Sequence, residues 1–245
     1  MVTTSWDDGD ALDLRVAGML SRHGMKGTFY ITQHYQPRLS EEDLRRISKE
    51  HEIGSHTLTH PDLSRQTAEQ QKEEIMGSKK WLEEVIGSEV SMFCYPFGKF
   101  NTVSKQVVRE AGFIGARTTK LGSIRFPADL FEMPTTVHAY PFPFRKKNAQ
   151  RLYWRYLLQP WQERAGELRR LGVPLLAMRS WSAAAQAAFD IALRDGEVFH
   201  LWGHSWEIEK YGMWDELERV LTHIGNRKDC QYVINGELLK KHHGR

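Results

Sequence analysis

Short apolar runs alternate with longer stretches of helical periodicity along most of this 245-residue chain, and that alternation confines it to a mostly parallel α/β sheet or barrel. Strands are expected at residues 2–6, 27–31, 52–55, 91–95, 113–117, 197–202 and 231–234, with a shorter piece at 135–138. Helices are expected between them, at 12–22, 67–85, 104–111, 182–193 and 213–224. Another opens after Ser40, whose hydroxyl suits a helix cap and which is followed by Glu41, Glu42 and Asp43 in the first turn. The rhythm loosens from 118 to 150, where Pro127, Pro134, Pro141 and Pro143 argue for loops. The length suits one domain spanning residues 1–245, large enough to bury a sizeable core.

Two polar clusters sit just beyond expected strands: Ser5-Trp6-Asp7-Asp8-Gly9 and Ser55-His56-Thr57-Leu58-Thr59-His60. Histidines four apart can point the same way from one helical turn. With one aspartate they make an oxygen/nitrogen set suited to zinc or a similar transition metal, with a position left open for water. The other aspartate is then a spare carboxylate beside a metal, which suggests a hydrolase. On spacing alone, Asp-Asp-Gly also reads as a turn and the histidines as a chance pair among 11 in the chain.

The same residues carry a family resemblance. Ser5-Trp6-Asp7-Asp8-Gly9-Asp10 resembles the Thr-Phe-Asp-Asp-Gly-Pro motif of the polysaccharide deacetylase family, the NodB-type carbohydrate esterases, and His56-x3-His60 resembles its His-[Ser/Thr]-x-x-His motif. Phe93-Cys94-Tyr95-Pro96-Phe97-Gly98 is similar to the family's Arg-x-Pro-Tyr-Gly stretch, and the segment from Phe199 to His204 resembles the late strand that ends in a catalytic histidine. The resemblance implies a distorted (β/α)7 barrel whose strand ends gather the motifs at one mouth. It also implies one divalent transition metal, Zn2+ first among them, held by Asp8, His56 and His60. Asp7 would then be the general base, His204 the general acid, and the backbone N–H of Phe97 a donor to the developing oxyanion. Tyr95, Arg117, Trp202 and Trp206 are expected to bind substrate or support these groups.

Two departures from the family pattern matter. Cys94 stands where an arginine usually pairs with the base aspartate, and a thiol cannot make a charge-assisted pair; Arg117, at the end of the next strand, is the nearest replacement. The family's Asp-x-x-[Asp/Ser]-Trp stretch, which orients the acid histidine, has no counterpart between residues 112 and 140. Glu132 and Glu207 are the carboxylates left for that task. His200 reads as a packed core histidine, and His138 as a residue close to the mouth at most.

Composition narrows the partners. A net charge of +3 is too small to argue for nucleic acid, and no apolar run is long enough to cross a bilayer. The charge is uneven: residues 141–170 hold eight Lys/Arg against Glu163 and Glu167, interleaved with aromatic rings. That island reads either as an amphipathic helix with solvated charges or as a surface for sugars, phosphates or a membrane. Cys94 and Cys230 are too few for a disulfide framework, and the chain enters its first strand without a leader-like segment. A cytoplasmic setting is expected.

These readings converge on an N-deacetylase acting on an acetamido sugar, free or carrier-linked, as a precursor in surface-polysaccharide synthesis. The alternatives are hydrolysis of another non-peptide C–N bond, such as a formamide or cyclic ureide, and an inactive saccharide-binding module.

Overall fold

The computed structural model describes residues 1–145 and 153–241. In chain order the regular elements are β1 (Val2–Asp8), α1 (Asp13–Arg22), β2 (Thr28–Ile31), α2 (Glu41–Ile47), β3 (Glu52–Ser55), α3 (Ala68–Ile86), β4 (Met92–Cys94) and α4 (Thr102–Glu110). They continue with β5 (Gly115–Arg117), β6 (Val137–Ala139), α5 (Tyr153–Arg170), α6 (Trp181–Arg194), β7 (Phe199–Gly203), α7 (Ser205–Tyr211), α8 (Trp214–Ile224) and α9 (Asn235–Lys240). Several helices begin where local chemistry demands it. Ser40 with Asp43 and Thr67 with Gln70 form reciprocal capping boxes at α2 and α3, satisfying N–H groups that have no partner inside the helix.

All strand pairs are parallel, in the order β5-β4-β3-β2-β1-β7-β6. The sheet curls into a distorted (β/α)7 barrel. Between the edge strands β5 and β6 the wall is pinched to one residue: the Met133 N–H donates to the Ala116 carbonyl and its carbonyl accepts from Thr118 N–H, both at 2.9 Å. Four residues later the same segment becomes β6 and pairs with β7, Val137 opposite Leu201.

Side-chain alternation along β1 explains how the barrel is filled. Trp6 joins the large apolar layer beneath the helices, whereas Thr3, Ser5 and Asp7 meet polar partners from other strands and α9. Thr3 Oγ1 donates to Asn235 Oδ1 at 2.8 Å, and Ser5 Oγ lies 2.8 Å from His200 Nε2. A smaller apolar cluster of Tyr30, Met92, Cys94, Met133, Val233, Leu238 and Leu239 completes this inner layer. His200 is therefore a core histidine, its other nitrogen facing the Pro134 carbonyl.

One expected strand is corrected. The 231–234 segment is not a strand; it makes one isolated bridge, Val2 to Tyr232. β1 pairs with β2 only from Ser5 onward, so the edge left free at the barrel base is short and accommodates this one bridge. The short piece expected at 135–138 is present as β6, Val137–Ala139. The basic island contains the amphipathic helix α5, with Pro160, Ala165 and Leu168 turned inward. Its Lys146, Lys147 and Arg151 lie outside the described residues. No described helix is long and apolar enough to cross a membrane.

Packing around Tyr30 generates a stability prediction. A Cβ on Gly54 would lie 2.5 Å from two ring carbons of Tyr30, and that ring is held by Asn235 at 2.9 Å and faced by the Arg117 guanidinium at 5.3 Å. Gly54→Ala should therefore cost about 1–3 kcal/mol. Gly166→Ala in α5, where a Cβ meets nothing within 4 Å, should add roughly 0.5–1 kcal/mol. Denaturant midpoints of the two variants test both signs; an unchanged Gly54→Ala midpoint would mean that the Tyr30 ring can move aside.

Candidate active site

Neighbouring residues of an extended strand point to opposite faces, so a regular β1 could not send both Asp7 and Asp8 to one mouth. The backbone resolves this by turning left-handed at Asp8 (φ 80°), with Gly9 at φ 75° behind it. Among the described non-glycine residues, Asp8, Thr57, His60, Phe97 and Asn226 have positive φ. Four of these five belong to this mouth. Such conformations cost on the order of 1–3 kcal/mol each and persist only where the surroundings enforce them.

The histidines converge through a loop, not the helical turn their spacing suggested. His56 follows β3, and the chain reverses at Thr57 (φ 69°) and His60 (φ 59°). Thr57 Oγ1 accepts the His60 N–H at 3.0 Å, while the Glu74 carboxylate, reaching from α3, accepts the N–H groups of Leu58 and Thr59 at 2.9 Å. His56 Nδ1 lies 2.8 Å from the Cys94 carbonyl, which makes Nδ1 the protonated nitrogen and leaves Nε2 bare.

The His56 and His60 Nε2 atoms are 3.1 Å apart, and 3.8 and 3.6 Å respectively from Asp8 Oδ1. Tetrahedral ligands bonded at 2.0–2.2 Å stand roughly 3.3–3.6 Å from one another, so the triad has the dimensions of a metal site. Burial lowers the pKa of both imidazoles, that of His56 to about 4, so both favour the neutral form that can offer a lone pair to a cation. A cation fits that gap. The Trp206 Nε1–H donates to Asp8 Oδ2 at 2.9 Å, leaving Oδ1 for the triad.

Asp7 is 3% exposed and forms an ion pair through Oδ1 with Arg117 Nη2. The cation comes from the strand beside Cys94, at the same level: Cys94 and Arg117 are register partners between β4 and β5. The guanidinium lies between rings, 5.3 Å from Tyr30 and 4.7 Å from Trp202. Burial pushes the Asp7 carboxyl up, but Arg117, with His56 and His204, brings it below its ordinary value. Burial also raises the Cys94 thiol, which stays neutral 3.9 Å from Asp7 Oδ2.

His204, between β7 and α7, holds Nε2 4.0 Å from Asp7 Oδ2 and 3.9 Å from Asp8 Oδ2. Its Nδ1 is 2.7 Å from Glu207 Oε2. Of the two carboxylates left open for this contact, Glu207 makes it; Glu132 pairs with Lys105 and Lys120. The signal was an acid three residues after a strand end, the spacing of a first helical turn. Burial would lower the His204 pKa, but Glu207 first, then Asp8 and Asp7, raises it to about 9. His138 also reaches this carboxylate, with Nε2 3.2 Å from Glu207 Oε2.

The supporting residues divide. Trp206 and Arg117 touch the two aspartates. Trp202, 5% exposed, stacks on His138 at 3.9 Å and supports the site from behind. Tyr95 is fully buried and stacked on Phe100 at 4.4 Å, a place for support and not for substrate contact. The Phe97 backbone turns left-handed beside His60, and its ring, 59% exposed, stands 4.5 Å from that imidazole.

The family model for polysaccharide deacetylases matches residues 1–116. A putative polysaccharide deacetylase, YxkH of Bacillus subtilis, is 27% identical over 127 residues, covering 50% of this chain and 46% of that protein. The peptidoglycan-N-acetylmuramic acid deacetylase PdaA of the same organism is 31% identical over 108 residues, covering 42% and 39% respectively. This chain thus spans less than half the length of either relative. A family 4 acetyl xylan esterase from Clostridium thermocellum, solved with a cobalt ion, shares the fold with a TM-score of 0.59 at 15% identity, over 98% of this chain and 90% of that one. Residues 1–116 thus carry the match to the polysaccharide deacetylase family, and over the whole chain the likeness is one of fold.

The His204–Glu207 contact makes stability depend on pH. A histidine whose pKa is raised on folding, here from 6.5 to about 9, stabilises fully below the lower value and ceases to do so as pH rises through the higher one. Metal-free protein should therefore lose unfolding free energy between about pH 6.5 and 9. Glu207→Gln should flatten that slope, as read from urea midpoints across the range; an identical slope in the variant would remove Glu207 as the cause.

Proposed function

We propose that this chain is a member of the polysaccharide deacetylase family and a metal-dependent hydrolase that removes the acetyl group from an acetamido sugar. One observation carries the reading: a metal-sized Asp8–His56–His60 triad lies beside a carboxylate and an imidazole, Asp7 Oδ2 and His204 Nε2, that are 4.0 Å apart. A divalent first-row ion held by the triad, which we take to be Zn2+, would supply Lewis-acid polarisation of the acyl carbonyl and a more acidic water. The oxygen/nitrogen donor set and the cobalt ion held by the C. thermocellum esterase support that assignment.

The protein's own groups do the proton work. Asp7, kept ionised by Arg117, has Oδ2 available to take a proton from the attacking water. His204 carries the second role: with Nδ1–H engaged by Glu207, its other proton sits on Nε2, where it can be given to the amine. Amines leave poorly unless protonated, so this donation is needed to break the C–N bond. The Phe97 N–H is assigned to the oxyanion that develops on the acyl oxygen.

Openness favours a sugar over a small enclosed ureide. The Phe97 ring stands 59% exposed at the mouth and offers a flat apolar face of the kind that pyranose rings cover. We take the substrate to be a unit of a surface-polysaccharide precursor, deacetylated in the cytoplasm.

Two variants separate holding the ion from chemistry. His60→Ala should lose the one equivalent of metal that the parent binds, measured by elemental analysis after dialysis. Asp7→Asn should keep that equivalent while acetate release from N-acetylchitopentaose falls by roughly 10² or more. A His60→Ala protein retaining full metal would overturn the triad, and loss of metal in Asp7→Asn would leave the base unassigned.

A further inference from the structure

The acid side of the mouth continues inward from Glu207 to two residues without a role so far. His138, on β6, is 7% exposed and clamped between rings: Trp202 lies parallel to it at 3.9 Å and Tyr140 at 5.1 Å. Its two nitrogens meet opposite kinds of partner. Nδ1 lies 3.1 Å from Arg164 Nη2, and Nε2 lies 3.2 Å from Glu207 Oε2. A guanidinium can only donate, so Nδ1 must present a bare lone pair. The imidazole proton is then confined to Nε2, where it is donated to Glu207.

Arg164 is itself fixed. It comes from α5, its side chain is 12% exposed, and it is anchored by Glu163 at 3.0 Å and by the Tyr140 ring at 4.5 Å. The cluster of His138, His204 and Glu207 is also compact enough to hold a metal ion. Arg164 argues against that use. A metal on His138 Nε2 would need the proton on Nδ1, facing a guanidinium that cannot accept it.

We propose that Arg164 and His138 are positioning residues, a tautomer clamp that presents Nε2–H of His138 to Glu207 and so holds that carboxylate under His204. The direction of every bond follows: Arg164 donates to His138, His138 donates to Glu207, and His204 Nδ1–H donates to the same Oε2. One oxygen receiving two hydrogen bonds is fixed in place, and the His204 ring is held with Nε2 toward Asp7 and Asp8. Burial supports the neutral form of His138 by lowering its pKa to about 4. This deepens the deacetylase reading and rests on it for its catalytic consequence, but not for its geometry.

The test has one arm independent of activity. Long-range 1H–15N spectra of the whole protein, labelled at histidine, should give His138 one bare and one protonated nitrogen, the protonated one being Nε2. Arg164→Met removes the donor that keeps Nδ1 bare, so in the same spectra His138 should take up a second proton at higher pH than in the parent. A parent protein with Nδ1–H or a doubly protonated His138 at pH 7 would overturn the clamp whatever the enzyme does.

The second arm uses N-acetylchitopentaose. His138→Leu should lower kcat by about tenfold or more with KM changed less than about twofold. His138→Gln, which can accept from Arg164 and donate to Glu207, should recover most of that loss. Equal kcat in His138→Leu and the parent, or equal losses in both variants, would reduce His138 to packing. Absence of acetate release from the parent would instead count against the deacetylase reading, and the spectra would still decide the clamp.

Discussion

The buried pair between Asp7 and Arg117 ties the barrel to its chemistry. Neither charge could remain inside alone, because the penalty for an unpaired buried ion is several kcal/mol. Their strands lie four places apart in the sheet order, β1 and β5, so the pair closes across the interior only if the sheet is strongly curled. The pinch at Met133 completes that curl on the far side. Cys94 belongs to the same logic. It and Arg117 share a register level on adjacent strands, and a neutral thiol leaves room for the neighbouring guanidinium between Tyr30 and Trp202. The cation has moved over by one strand, while the carboxylate it serves has stayed.

Around that pair the backbone is strained where function gathers. Left-handed residues at Asp8, Thr57, His60 and Phe97 re-aim side chains that regular strands and turns would send elsewhere. The strain is countered by contacts outside the reacting groups. Glu74 secures the loop between the histidines, and Trp206 holds the oxygen of Asp8 that faces away from the triad. These anchors have no motif of their own, since any nearby acid or indole with the right reach would serve.

Much of the fold and part of the site were legible before any coordinates. Helix starts at Ser40 and Thr67, and the strand leading to His56, follow from local capping and patterning. The nearness of Asp7, Asp8 and His56 follows from strand ends sharing a mouth. What was hidden depends on tertiary context. Residues 231–234 have strand-like composition but meet only the short edge of β1 that lies ahead of its pairing with β2 at Ser5. β6, three residues among prolines, was legible as a short piece at 135–138 but not in its exact bounds. Helix α7 has seven residues, so nothing beyond a single acid three positions after His204 marked Glu207 as its partner. Arg164 lay within a run of basic residues whose pattern cannot say which one turns inward.

These differences divide the mouth into two sides with different origins. Asp7, Asp8, His56 and His60 come from the first four strands, where motif spacing carries the geometry. The partners of Asp7 and His204 come from β5 onward: Arg117 for Asp7, then Glu207, His138 and Arg164 for His204. The separation has a physical basis. Ligand positions must agree to within a few tenths of an ångström with one ion, which ties residue types to loop shape. Orienting a carboxylate or an imidazole requires only a charge or donor at hydrogen-bonding distance, and a barrel offers several strand ends and helix starts from which to supply it. A chain of this architecture can therefore exchange its supporting cation and its acid partner for residues on neighbouring elements while the triad keeps its form.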